Sequence, residues 1–388
     1  MKNKYIWLLG AGHAFADMNQ GALPIILPYL IAAGGLSFTN AAGLTFAVAF
    51  SSSIIQPLFG IWADKIALSW LMPAGVLLAG ICMSLMGVLH GNYWLMFAMA
   101  ILSGIGIAAF HPEAARMANQ LSGREKGGGM SIFSVGGNVG FVIGPALATA
   151  ALKFAGLSGS LVLAVPAIVM CILLTLNASR MREAAVVMVA QERAASPVSL
   201  GKTNEWGKFC WLTIAIVARS VLFHNFNTFL PMYWVEVLGR SKVETGGILT
   251  FMFAVGTLST LISGPLADRF GANNVTKIGS VMMIPALFLF TRSTNPALVM
   301  LCIIFFAFSS FIVTAPMVVL GQKYLPGKLG LASGVTFGLA VSTGGIVSPL
   351  LGKYADAHGL VAMFNFMAFL PFVAAFVALT LRRPMAEK

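Results

Sequence analysis

Apolar stretches of about twenty residues follow one another from residue 6 to residue 381, and a chain built this way can fold as little other than a bundle of membrane-crossing helices. A helix that crosses the hydrocarbon core needs about 20 mostly apolar residues at 1.5 Å rise each. Read on that scale, the sequence divides into twelve spans: 6–31, 40–63, 70–89, 93–115, 127–152, 159–177, 208–238, 245–266, 275–291, 296–320, 329–351 and 359–381. Only 9% of the 388 residues are charged and 58% are hydrophobic, whereas an average soluble domain carries about 25% charge. The expected fold class is an all-α polytopic membrane protein.

The net charge of +12 raises nucleic acid as a partner, but the basic residues form no patch interleaved with aromatics, and none is expected. They sit in short loops and follow the positive-inside rule. With both termini and the central loop on one side, eighteen of the 24 Lys and Arg residues fall on that side, making it cytoplasmic. The chain is accordingly expected in a plasma membrane, the inner membrane of a bacterium, as a multi-pass protein with both termini cytoplasmic. Lys2, Lys4 and the apolar run to Ala14-Phe15-Ala16 imitate a cleavable signal. Hydrophobicity continues past that point to Ile31, so a retained first helix is expected. Cys82, Cys171, Cys210 and Cys302 stand singly, without CxxC or ligand spacing, which argues against disulfides and a zinc site. No metal and no cofactor is expected, and no nucleophile–His–acid arrangement supports catalysis.

Connections are short except for one polar stretch, which places the domain boundaries at 1–177, a cytoplasmic linker 178–207, and 208–388. The two halves repeat. Gly60-Ile-Trp-Ala-Asp64-Lys65 ends span 2 and Gly264-Pro-Leu-Ala-Asp268-Arg269 ends span 8, and the same offset of 204 residues separates Asp64 from Asp268 and Pro145 from Pro349. Parallel repeats of six spans build the major facilitator architecture, with substrate held near the midplane between the halves. The two G-x-x-A-D-[KR] turns resemble that superfamily's cytoplasmic loop signature. Gly60, Asp64, Gly264, Asp268 and Arg269 are therefore gating candidates, the carboxylates docking on helix N-termini. The first copy departs from the signature after Lys65.

Ionisable groups inside a bilayer are costly and mark substrate or ion paths. His13 and Asp17 are i,i+4 neighbours on one helix face, with Gln20 and Pro24 extending it. Asp17 lies about 11 residues, ~17 Å, from the inner end of its span. A lone carboxylate at that depth is held largely neutral by desolvation, which moves its ionisation toward the physiological pH range, as a proton carrier needs. Arg219 in span 7 lies at matching depth, two positions from the counterpart of Asp17 in the repeat. An unpaired guanidinium there is costly, so Arg219 is expected to pair with Asp17 or with an anionic substrate. His224, Asn225 and Asn227 add polar capacity further along span 7.

Span 4 ends in Phe110-His111-Pro112-Glu113-Ala-Ala-Arg116. Glu113 and Arg116 are spaced for a local salt bridge, read either as an interfacial ion pair or as a relay and gate kinked by Pro112, with His111 one turn deeper. Span 5 carries Gly136-Gly137-Asn138-Val-Gly140-Phe-Val-Ile-Gly144-Pro145, read either as a packing face or as a bending, gating element. It resembles the G-x-x-x-G-P element of the superfamily's antiporter branch, and Gly140, Gly144 and Pro145 are gating candidates on that ground.

FHPE in span 4, His13-x-x-x-Asp17 in span 1 and Ser131-Ile-Phe-Ser-Val-Gly-Gly-Asn138 in span 5 together resemble the fosmidomycin resistance protein family of drug exporters, over essentially the whole chain. The resemblance implies proton-coupled efflux of a small polar antibiotic, a phosphonate for example. The expectation is a secondary transporter working by alternating access, driven by the proton gradient, functional as a monomer among membrane lipids. Asp17, Glu113, His13 and His111 are the proton-coupling candidates. Arg219, Arg116, Gln20, His224, Asn138 and Asn227 are the substrate-binding candidates. Uptake or exchange of an organic anion is the alternative within transport; a non-transporting receptor or scaffold is the alternative outside it.

Overall fold

The structure, a computed structural model, describes residues 4–65, 69–123, 126–193, 204–326 and 329–382, and all regular structure in them is helical. The chain forms two compact units, Met1–Ser199 with Lys242–Thr250, and Leu200–Ser241 with Phe251–Lys388. Its helices are α1 (Lys4–Gly34), α2 (Phe38–Lys65), α3 (Leu71–Leu85), α4 (Tyr93–Leu121), α5 (Lys126–Ala155), α6 (Ala164–Arg193, led in by a 3₁₀ turn at Gly156–Leu163), α7 (Trp206–Glu236), α8 (Lys242–Phe270), α9 (Ala272–Phe290), α10 (Pro296–Ile312), α11 (Thr314–Tyr324), α12 (Leu329–His358), α13 (Leu360–Met367) and α14 (Leu370–Thr380). Each predicted span overlaps one α-helix, except that span 6 begins in the 3₁₀ turn before α6 and spans 10 and 12 are each broken in two. Eight stretches among the described residues are long and apolar enough to cross a membrane.

Helix ends carry recognisable stops. Asn92 accepts from the backbone N–H groups of Trp94 and Leu95 at 3.1 and 3.2 Å, and Asn295 accepts from Ala297 at 2.9 Å ahead of Pro296, so asparagine caps start α4 and α10. Gly271 and Gly359, both at φ 84°, turn the chain from α8 into α9 and from α12 into α13, a conformation that disfavours any side chain.

In the first unit, α1 and α5 lie against each other along a seam of small residues. A Cβ placed on Gly136, Gly140 or Gly144 would come 2.1, 2.2 and 2.3 Å from the carbonyl oxygens of Gly10, Ala14 and Met18. Two rows of residues at spacing four thus let the backbones meet, as small residues do between membrane helices. Beneath the seam, Leu9, Phe110, Met117, Phe133, Met170 and Leu174 form a closed apolar core. In the second unit, Phe226, Tyr233, Phe290, Phe306 and Phe364 interlock, with ring centroids 4.3–5.8 Å apart, within the range of favourable aromatic pairs.

Several boundaries differ from expectation, α12 running to His358 and α3 stopping at Leu85 among them, and two bear on the site or the domain division. α6 continues past Asn177 to Arg193, into the expected linker, because Leu174, Met181 and Ala185 prolong one buried helical stripe onto the core. α4 continues past residue 115 to Leu121, with Met117, Ala118 and Leu121 buried; this change moves a functional residue, as described next.

Candidate functional site

The site of the first unit is a His–Asp–His cluster. Asp17 of α1 is 6% exposed, and its two carboxylate oxygens face two imidazoles: Oδ2 lies 3.1 Å from His13 Nε2 and Oδ1 3.1 Å from His111 Nε2. Gln20 donates to Oδ1 at 3.3 Å. The helix period places His13, Asp17 and Gln20 on one face of α1, and α4 brings His111 across to it. Counting span 4 as ending at residue 115 puts Glu113 near the inner boundary and His111 one turn deeper, and gives no contact with Asp17. With α4 running to Leu121, His111 stands about 15 Å from that helix end at 1.5 Å per residue, a depth comparable to that of Asp17 in α1. The expectation of a lone carboxylate is thereby corrected: Asp17 has two imidazole partners.

Both rings are fixed through their other nitrogen. His13 Nδ1 is 2.7 Å from the carbonyl of Phe133, and His111 Nδ1 is 2.9 Å from the carbonyl of Ile107. A carbonyl only accepts, so each Nδ1 carries the hydrogen and each Nε2 is presented to Asp17. The His13 ring also stacks on Phe133, with centroids 4.2 Å apart, and meets His111 edge-on at 4.9 Å. Gly137 of α5 completes the wall: a Cβ there would come 2.6 Å from His13 Nε2 and 2.8 Å from Asp17 Oδ2. This role is not legible in the sequence, although Gly137 lies in the glycine-rich motif of span 5, next to half-buried Asn138. The Nε2 and carboxylate atoms lie within 4.8 Å of one another, a spacing that could hold a metal ion.

Glu113 and Arg116, the remaining charges of α4, form their own pair. Glu113 is fully buried, and Arg116 grips it with Nε at 2.8 Å and a terminal nitrogen at 2.5 Å. The fork geometry is that of a bidentate, charge-assisted pair. His111 and Glu113 thus engage different partners, and Arg116 is committed to Glu113 rather than held open. Pro112 sits inside the continuous helix.

In the second unit, α7 carries three polar side chains with unmet bonding capacity. Arg219 is 7% exposed and donates to the Ser310 carbonyl at 3.0 Å. No carboxylate of its own unit pairs with it among the described residues. Arg219 Nε, His224 Nε2 and Asn227 Oδ1 are buried without hydrogen-bond partners, a state that costs free energy unless something else satisfies them. Asn225 is structural instead. It donates to the Gly344 carbonyl at 3.0 Å and accepts from Ser348 at 2.7 Å, while Gly344 N–H reaches Ser220 at 3.1 Å. Gly344 and Ser348 are the repeat counterparts of Gly140 and Gly144, so α7–α12 and α1–α5 are equivalent seams; both use a close-approach glycine, and at the position of Gly144 the second seam has Ser348, which adds a hydrogen bond to Asn225.

Of the gating candidates, Gly140 and Gly144 lie in the α1–α5 seam, with Pro145 packed against Gly21. Gly264, Asp268 and Arg269 end α8, the last two exposed and Arg269 over the Phe270 ring at 5.2 Å. The side chains of Gly60 and Asp64 lie outside the described residues.

Two repeated helical units, built around buried polar clusters in apolar helices, define a membrane transporter class rather than an enzyme. The sequence profile of the Major Facilitator Superfamily matches residues 9–349. The fosmidomycin resistance protein of Escherichia coli (strain K12) is 31% identical over 379 residues, covering 94% of this chain and 90% of that protein. The chain belongs to the Major Facilitator Superfamily and, within it, to the family of the fosmidomycin resistance protein. An uncharacterized MFS-type transporter, YfnC of Bacillus subtilis (strain 168), is 29% identical over 94% of this chain and 89% of its own length. Among solved structures, a bacterial homolog of the human lysosomal transporter Spinster, inward-facing and occupied, superposes with a TM-score of 0.81 at 14% identity, covering 99% of this chain and 97% of that one. A D-xylose–proton symporter superposes with a TM-score of 0.75 at 17% identity, over 99% and 98%. These two establish the fold alone.

Proposed function

We propose that the chain is a proton-coupled antiporter that exports a small polar or anionic drug, fosmidomycin or a relative of it, from the cytoplasm across a bacterial inner membrane by alternating access of its two halves. Twelve spans, both termini on the cytoplasmic side and a monomeric working unit complete the reading. The observation that carries it is the His13–Asp17–His111 cluster. Three ionisable groups in contact, inside apolar helices, can take up and release protons without breaking the packing around them.

Proton occupancy decides how α1 and α4 interact. With hydrogens fixed on both Nδ1 atoms, each imidazole–carboxylate contact needs a proton between nitrogen and oxygen to be attractive; removing it leaves two lone pairs facing each other. The contacts therefore differ in strength between protonated and deprotonated cycles, and such a difference is what biases a two-state equilibrium. Glu113 and Arg116 are a secondary relay or inner gate. Arg219, His224 and Asn227, with unmet hydrogen bonds, take the substrate's anionic and polar groups. The proposed substrate rests on the similarity to the E. coli fosmidomycin resistance protein and on the guanidinium. No cofactor enters; the proton gradient supplies the driving force.

The test is a resistance and uptake screen in cells lacking their own exporters, with fosmidomycin, other phosphonates and unrelated drugs. Selective resistance to phosphonates, abolished by an uncoupler, is expected. Accumulation of the drug in expressing cells would instead support uptake, and binding without flux would support a receptor.

A further inference from the structure

The three groups of the cluster, His13, Asp17 and His111, converge as acceptors. Both Nδ1–H groups are spent on backbone carbonyls, so each neutral imidazole aims its Nε2 lone pair at a carboxylate oxygen 3.1 Å away. Gln20 is the side-chain amide that donates into the cluster, at 3.3 Å. Two nitrogen and two oxygen lone pairs facing one another form an arrangement that a cation completes. An imidazole whose other nitrogen donates to a backbone carbonyl is also how proteins orient histidines as metal ligands.

We propose that His13, Asp17 and His111 form a three-ligand site for a divalent transition-metal ion of the zinc, cobalt and nickel class, with a fourth position open. Metal–nitrogen and metal–oxygen bonds of about 2.0–2.2 Å at tetrahedral angles need donor separations of roughly 3.4 Å. The two 3.1 Å contacts widen to that value by a few tenths of an ångström, while the widest donor separation, up to 4.8 Å, closes by up to about 1.4 Å as the imidazoles turn toward the ion. Two imidazoles and one carboxylate select this class over magnesium or calcium, which prefer all-oxygen shells. Gly137 supports the site from the other side: the position its missing Cβ would take is 2.6 Å from His13 Nε2 and 2.8 Å from Asp17 Oδ2, so α5 leaves the donor atoms uncovered. An ion held there clamps α1 to α4 and occupies the atoms the transport cycle uses, making it an inhibitor. The metal proposal stands on donor geometry and does not require the proton reading.

Cobalt(II) is the probe, titrated into the full-length chain, purified in detergent with any histidine tag removed. The expected result is one cobalt per chain, with ligand-field bands of a four- or five-coordinate ion that zinc erases. His13→Gln and His111→Gln keep a polar side chain of similar reach but bind metal poorly; each should weaken cobalt binding by about tenfold or more while eluting as a monodisperse protein. Asp17→Asn should do the same. His90→Ala/His358→Ala removes the two exposed imidazoles and should bind as the parent does. Absence of the bands at millimolar cobalt in a transport-active preparation would overturn the site and leave the transport reading standing. Bands that survive His13→Gln and His111→Gln, or vanish with His90→Ala/His358→Ala, would overturn it as well.

Discussion

Replacing Gly137 by alanine adds one carbon to the wall of the His–Asp–His cluster, and its effect can be worked out from distances. The new Cβ would sit 2.6 Å from His13 Nε2, 2.7 Å from its Cε1 and 2.8 Å from Asp17 Oδ2, where ordinary contact begins near 3.4 Å. The imidazole must retreat by about 0.8 Å, yet it is stacked on Phe133 and tied to the Phe133 carbonyl. Forcing an extra carbon into packed surroundings costs about 1–3 kcal/mol. If the His13–Asp17 contact breaks instead, a charge-assisted hydrogen bond of about 1.5–3 kcal/mol is lost. Since about 1.4 kcal/mol is a factor of ten, drug-driven proton movement in proteoliposomes should fall roughly ten- to hundredfold, with a lower melting temperature only if the packing term dominates. Gly247→Ala, whose Cβ meets nothing within 4 Å, is the control. Wild-type coupling and melting temperature in Gly137→Ala would refute the reasoning, because they would mean that the wall is not where the distances put it.

Three further outcomes follow from the same geometry. Glu113→Ala strands the Arg116 guanidinium and should lower stability by about 3–5 kcal/mol, whereas Glu113→Gln/Arg116→Gln removes both charges and should cost much less; thermal unfolding in detergent distinguishes them. Arg219→Lys should lose transport nearly as fully as Arg219→Met, since an ammonium cannot reproduce a planar fork, and the loss should show as a raised KM for anionic drugs. Asn225→Ala leaves Ser348 with only its longer bond to the Gly344 carbonyl, at 3.3 Å, and that carbonyl without one of its donors, and at about 1 kcal/mol per bond should lower the melting temperature by a few degrees while retaining flux.

The helices were legible because a bilayer imposes one period and one length, and the repeat was legible because its landmarks share one offset. His13 and Asp17 could be paired from i,i+4 spacing, and Glu113 with Arg116 from i,i+3. The partner that sequence could not supply was His111, since contact between α1 and α4 depends on where α4 ends, and charge and polarity suggested an end at 115 while buried Met117, Ala118 and Leu121 carry it on. The role of Gly137 was invisible for a related reason: glycines in a row announce a close approach without saying what is approached. The helix over 178–193, within the expected linker, was not legible because its charges decorate the exposed side while its other side, at Met181 and Ala185, is core.

Proton coupling through Asp17 is the central claim, and substrate-driven proton movement in proteoliposomes tests it most directly. With wild-type protein, adding drug on one side should move protons the opposite way. Asp17→Asn should still exchange drug for drug across the membrane while moving no protons. Proton movement by Asp17→Asn at the wild-type rate would contradict the assignment.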